Sequence, residues 1–205
     1  MLKADKLKVE GLVASDEALR IESAVQLQAL EAGHFEDHPI SVNFVKGIEE
    51  KLLAAYRDTD SPLVREWVLQ VLASASIESD ELVSIVSAAL TPECPYLPTL
   101  LYYIWQSAHK FPNIKEQVKL LCSHPDPQVR WRCALVLEKI PLDYKNDVGV
   151  IRALMTDEYY TTRTYAVLAL KKLGKVGFFD RRALKKVIKI DDGAARTYAN
   201  ELLGK

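Results

Sequence analysis

One short pattern returns along this chain about every 33 residues, and that return limits the available folds more than any other feature. Arg65, Arg130, Arg163 and Arg196 stand 65, 33 and 33 positions apart, the first gap being close to two periods. A further copy is due near residue 98, where the chain reads ECPYLPTLLYYIWQSA. There Leu97 opens the pattern and Pro98 takes the arginine slot. Periods of about 20 to 50 residues mark units that cannot bury their apolar faces alone and must stack on neighbours.

Each copy places an apolar or small side chain just before the arginine and others four and eight positions later, which is one face of a helix. The sets are Val64, Val68, Leu72; Leu97, Leu101, Trp105; Val129, Cys133, Leu137; Thr162, Ala166, Leu170; and Ala195, Ala199, Leu203. Leu19, Ser23 and Leu27 form an earlier, looser copy. Small residues in the middle slot suit helices that cross closely, so Cys133 reads as packing and not as a reactive thiol. A second helix is expected before each stripe, over 79–90, 113–122, 146–155 and 180–190, and a longer one over 40–57. Asp60, Asp126, Asp157 and Asp191 stand four to six residues before the arginines, where an aspartate can cap the helix that follows. The expected fold is all-α, an α-α superhelix (α-solenoid) of about six helical hairpins in one domain over 1–205. Repeats are less regular over 1–59 and regular, about 33 residues each, over 60–205.

The segments DSPLVREWVLQVL, DPQVRWRCALVL, DEYYTTRTYAVLALKKLG and DDGAARTYANELLG resemble the HEAT-repeat family, in particular its short bacterial members. They follow the family's order of Asp, then Val-Arg, then a small residue, then Leu. The likeness covers most of the chain, strongly after residue 60. It implies a structural ladder in which Arg65, Arg130, Arg163 and Arg196 pair with Asp60, Asp126, Asp157 or Asp191 of their own or an adjacent repeat. The copy with Pro98 breaks that ladder. It also carries Pro95 and the cluster Tyr102, Tyr103 and Trp105, and a shifted or bent junction is expected there.

The resemblance also implies a curved array whose second helices line the inner, concave surface. Just off the core stripe stand Trp67, Arg132, Tyr165 and Tyr198, with Trp131 one position earlier in its copy. Trp, Tyr and Arg are the types enriched at the energetic centres of protein interfaces. With Tyr103 they make the expected partner-binding set. A basic patch is expected over 171–189, where Lys171, Lys172, Lys175, Arg181, Arg182, Lys185, Lys186 and Lys189 face one acid, Asp180. It reads as a solvated helix face or an anion-docking surface. Residues 1–60 are acidic, 7 Lys/Arg against 12 Asp/Glu, although the formal net charge of the chain is only −1.

Catalytic chemistry is not written here. None of His34, His38, His109 and His124 stands with a serine or cysteine in a nucleophile–base spacing. There is no Gly-rich phosphate loop. His34, Glu36, Asp37 and His38 in GHFEDHP read as a polar loop and not as a metal site, and Cys122 with His124 is a weak zinc signal because Cys133 belongs to the stripe. No metal and no cofactor are expected. Three cysteines without a CxxC pair argue against a disulfide framework. No apolar run reaches the roughly 18 residues of a membrane span, so a cytoplasmic protein without a membrane partner is expected. The expected function is a non-enzymatic protein-interaction module holding one protein partner, as an adaptor or a bacterial immunity or inhibitor protein. The alternative is a nucleic-acid-binding or HEAT-like DNA glycosylase-type repair protein. The oligomeric state is not legible.

Overall fold

The computed structural model describes residues 3–30, 41–77 and 79–204, which contain twelve α-helices, one short 3-10 turn and no strand. His34, Glu36, Asp37 and His38 lie outside the described residues. Two compact units emerge, one of residues 1–89 with 93–107, the other of residues 90–92 with 108–205. Among the described residues no helix is long and apolar enough to cross a membrane.

In the first unit the helices are α1 (Lys3–Gly11), α2 (Glu17–Gln28), α3 (Val42–Asp58), α4 (Pro62–Ser74), α5 (Asp80–Ala89) and α6 (Leu97–Gln106). Their starts follow local chemistry. Asp16 and Ser61 cap α2 and α4 by accepting from the Ala18 and Val64 amides at 2.9 and 3.4 Å, and Pro62 and Pro98 sit in first turns, where a missing N–H costs nothing. α1 packs on α2, α3 on α4 and α5 on α6, and α4 packs on α2 and α6. Val64, Val68, Leu72, Leu97 and Leu101 are buried as the stripe requires. Each such side chain is worth about 1.5–3 kcal/mol. The earliest copy is out of register, because Leu19 is exposed and Ala24 with Leu27 fills the core. Tyr56 and Tyr96 bring their hydroxyls together at 2.8 Å in a buried position.

The second unit repeats one hairpin three times: α7 (Lys115–Leu121) with α8 (Pro127–Lys139), α9 (Tyr144–Leu154) with α10 (Tyr160–Lys172), and α11 (Phe178–Ile190) with α12 (Ala194–Leu203). The second helices α8, α10 and α12 pack side by side in chain order. Val129, Cys133, Leu137, Thr162, Ala166, Leu170, Ala195 and Ala199 are buried along that seam. Gly174, at φ +66°, follows the last turn of α10 in the left-handed conformation that a Cβ would disfavour.

The arginine ladder runs between adjacent hairpins. Arg130 donates from Nε to Asp157 Oδ2 at 2.6 Å, and Arg163 does the same to Asp191 Oδ2 at 2.8 Å, so each arginine pairs with the aspartate of the next hairpin. It also donates from Nη1 to two carbonyls of its own turn, His124 and Pro125 for Arg130, Asp157 and Glu158 for Arg163. Asp157 and Asp191 each accept the amide two residues on, from Tyr159 and Gly193. In the 124–130 turn it is His124 Nδ1 that accepts in this way, from the Asp126 amide, and in the 59–65 turn it is Thr59 Oγ1, from Ser61. The turn slot is thus Thr59, His124, Asp157, Asp191. Asp126 is a helix cap, accepting from Gln128 at 2.8 Å. Asp60 is exposed, and Arg65 is held by the carbonyls of Tyr56 and Thr59 at 3.3 and 2.7 Å. Arg196 is exposed on α12, the last of the described helices.

A second carboxylate row lies on the first helices. Asp147 and Asp180, 33 residues apart, are both buried. Asp147 accepts from Lys115 and Lys119 at 3.1 Å and from the Asp143 amide at 2.7 Å. Asp180 accepts from Arg152 Nε at 2.6 Å, from the Gly177 amide at 2.7 Å and from the Tyr144 hydroxyl. Burial pushes both carboxyls up, but the hydrogen bonds and cations outweigh it, and both end below their ordinary value.

Candidate functional site

The off-stripe residues of α8, α10 and α12 occupy one side of the three stacked second helices. Trp131, Arg132, Tyr165 and Tyr198 are all half-buried. Trp131 and Tyr165, on adjacent helices, stack at 6.2 Å between centroids with 23° between planes. The Arg132 guanidinium lies 4.5 Å from the centre of the Trp131 ring, and the indole N–H donates to Gln128 Oε1 at 2.8 Å. The Lys171 ammonium stands 5.6 Å from the Tyr198 ring and pairs with Glu201 at 2.9 Å, which raises its pKa. Spacing explains the grouping: Arg132, Tyr165 and Tyr198 hold one slot in successive copies 33 apart, so stacking the helices aligns them.

The other expected site residues fall elsewhere. Trp67 is half-buried on α4 of the first unit, where its slot neighbour Glu66 accepts from Thr99 at 3.1 Å. Burial holds the Glu66 carboxyl above its ordinary value, the Thr99 bond acting the other way. Tyr103 is fully buried in that unit, its hydroxyl donating to the Ile77 carbonyl at 2.8 Å, so it belongs to the core and not to a binding surface. It stands three after the buried Leu100, so the two share a face of α6.

The basic run divides into two parts. Lys172 donates to the carbonyls of Glu138, Lys139 and Ile140 at 2.6, 2.8 and 3.2 Å, which caps the C-terminal end of α8. Desolvation lowers its pKa. Lys171 is paired as described. Arg181, Arg182, Lys185, Lys186 and Lys189 are exposed on α11, a first helix, and not on the aromatic side of the second helices. Cys94, Cys122 and Cys133 are free thiols, and burial drives the Cys133 thiol well up, away from thiolate reactivity. Among the described residues no three His, Cys, Asp or Glu side chains gather as a metal would need.

No family model matches the chain, and no curated protein matches it. Solved structures do. One engineered protein from a structural genomics consortium is similar over 99% of this chain and 96% of its own, with a TM-score of 0.69 and 16% identity. A second engineered protein from the same consortium is similar over 99% and 98%, with a TM-score of 0.66 and 15% identity. At these identities the likeness shows the fold alone.

Proposed function

We propose that the chain is a HEAT-like, non-enzymatic protein-binding module, and that the second-helix side of residues 127–203 holds one protein partner. The Trp131–Tyr165 stack, flanked by Arg132 and continued by Tyr198, carries this reading. Large rings left half-exposed and already ordered lose little side-chain entropy on binding, which is why such residues dominate interface energies. A protein partner suits this side better than nucleic acid. Its nearest cations are engaged, Arg132 on an indole, Lys171 with Glu201 and Lys172 on carbonyls, whereas phosphate binding needs several free Lys and Arg on one face. Free buried thiols fit work in a reducing compartment such as the cytoplasm.

The test is paired purification of the wild type and the Trp131→Ala and Tyr165→Ala chains from native cells, with quantitative mass spectrometry. A partner retained by the wild type is expected to fall with both variants, each substitution costing about 2 kcal/mol or more of affinity. Equal retention by all three chains sinks the proposal, and so does loss of the folded state in Tyr165→Ala.

A further inference from the structure

The outward side of α11 belongs to neither the ladder nor the aromatic side. Phe178 and Phe179 open this helix with 71% and 63% of their surfaces exposed. Arg181, Arg182, Lys185 and Lys186 follow, all exposed, and Lys189 completes the stripe. The one acid in the helix, Asp180, is buried and engaged by Arg152, Tyr144 and the Gly177 amide, so it takes no charge away from this face. Arg182 and Arg152 lie 6.0 and 5.9 Å from the Phe178 and Phe179 ring centres, which leaves the rings edge-on to each other and open to solvent.

Solubility explains the cations but not two adjacent exposed phenyl rings at their head. A partner must supply negative charge and apolar volume together. It must also be flat. α11 is packed against α12 on one flank and tied to α9 through Asp180 on another, so it cannot enter a nucleic-acid groove as a free helix does. A single strand is gripped in a concave channel, and a helix surface is convex. We propose that α11 is a peripheral docking face for an anionic lipid bilayer, with the five cations on the headgroup phosphates and carboxylates and Phe178 and Phe179 in the interfacial layer. Clusters of Lys and Arg on an amphipathic helix are attracted to anionic leaflets, and lasting attachment needs such a second, apolar contribution. The want of a membrane-crossing helix among the described residues concerns spanning and leaves this contact open.

The full chain is to be sedimented with vesicles of phosphatidylcholine alone and of phosphatidylcholine with phosphatidylserine. Binding is expected only to the second kind, weakening as salt rises. Arg182→Glu with Lys186→Glu should lower it at least about 25-fold, near fivefold for each cation removed. Phe178→Ser with Phe179→Ser should lower it about tenfold or more. Lys46→Glu with Lys51→Glu, an equal charge change on exposed positions of α3, should leave it near wild type. Trp131→Ala should not affect it, which separates this face from the protein-binding one. The proposal is overturned by no sedimentation with phosphatidylserine, by equal sedimentation with both vesicles, or by equal loss in the α3 control. Tighter binding to a single-stranded oligonucleotide than to the vesicles also overturns it.

Discussion

The turn before α10 and the turn before α4 close in the same way and are held by different forces. In both, a side chain accepts the amide two residues on, and the arginine six residues on donates to the carbonyl of that slot. Beyond this, Arg163 reaches the next hairpin and finds Asp191, with the two side chains only 10% and 4% exposed. Among the described residues Arg65 instead meets the carbonyls of Tyr56 and Thr59 and the Tyr56 ring. The backbone closure is therefore what defines the repeat, and the ion pair is added where two regular copies follow each other. Arg163→Met should cost about 3–5 kcal/mol, because it strands a buried carboxylate. Arg65→Met should cost about 1 kcal/mol, the worth of ordinary hydrogen bonds. Urea denaturation of both variants measures the contrast, and equal losses would break it.

Acid sharpens the same contrast through carboxyls of opposite behaviour. Asp147, in the second unit, lies below its ordinary value of 3.8, so the stability it contributes is full above that pH and is lost as pH falls through its folded value. Glu66, in the first unit, lies above its ordinary 4.5, so its contribution is full below that pH and is lost as pH rises through the folded value. Asp147→Asn should lower the melting temperature at about pH 6, and the gap should close as pH falls below 3.8 through the folded value. Glu66→Gln should be nearly neutral near about pH 3 and raise the melting temperature at about pH 6. Thermal melts across this range check both signs.

Two glycines of the second unit extend the comparison to packing. A Cβ at Gly177 would meet the Tyr144 hydroxyl at 2.5 Å, and that hydroxyl is bonded to Asp180. Gly149 lies exposed within α9 with nothing within 4 Å of its would-be Cβ. Gly177→Ala should destabilise by about 1–3 kcal/mol. Gly149→Ala should stabilise by about 0.5–1 kcal/mol, since alanine loses less freedom in a helix.

The stripe was legible in the sequence because a 3.6-residue period and a 33-residue period coincide at Val129, Cys133, Leu137 and most of their equivalents, which are buried, whereas Trp105 and Leu203 at the ends of their copies are half-buried and Leu19 is exposed. The ladder arginines 130 and 163 were legible for the same reason. Their partners were harder. Aligning on aspartate picks Asp126, but the Asp-Pro pair there makes Asp126 the helix cap and moves the turn slot back to His124, a residue whose ring nitrogen can replace a carboxylate oxygen. Asp147 and Asp180 share the 33-residue interval, but one stands inside a helix and the other within a basic run, so neither fits the turn pattern. What marks them is burial, which spacing cannot show. Tyr103 failed as a surface residue because aromatic type alone does not tell the two sides of α6 apart. Of the candidate site, the alignment of Arg132, Tyr165 and Tyr198 followed from period, whereas the division between paired Lys171 and Lys172 and the open face of α11 required the hairpins to be placed.

The smallest difference between equivalent positions is a single methyl exchanged for a hydroxyl at the first stripe slot. Val64 and Val129 fill it in two copies, and Thr162 fills it in a third. Thr162 is fully buried, and its Oγ1 has no hydrogen-bond partner among the described residues. A buried hydroxyl without a bonding partner costs about 1–3 kcal/mol, whereas valine of nearly the same shape carries no such penalty. Thr162→Val should therefore stabilise the chain by about 1 kcal/mol, and Val129→Thr should cost a similar amount. A denaturation midpoint that moves up for the first and down for the second would mean that the slot asks only for an apolar branch. A fall for Thr162→Val would show instead that its hydroxyl is bonded in solution, and that this copy of the seam differs from its neighbours in more than sequence.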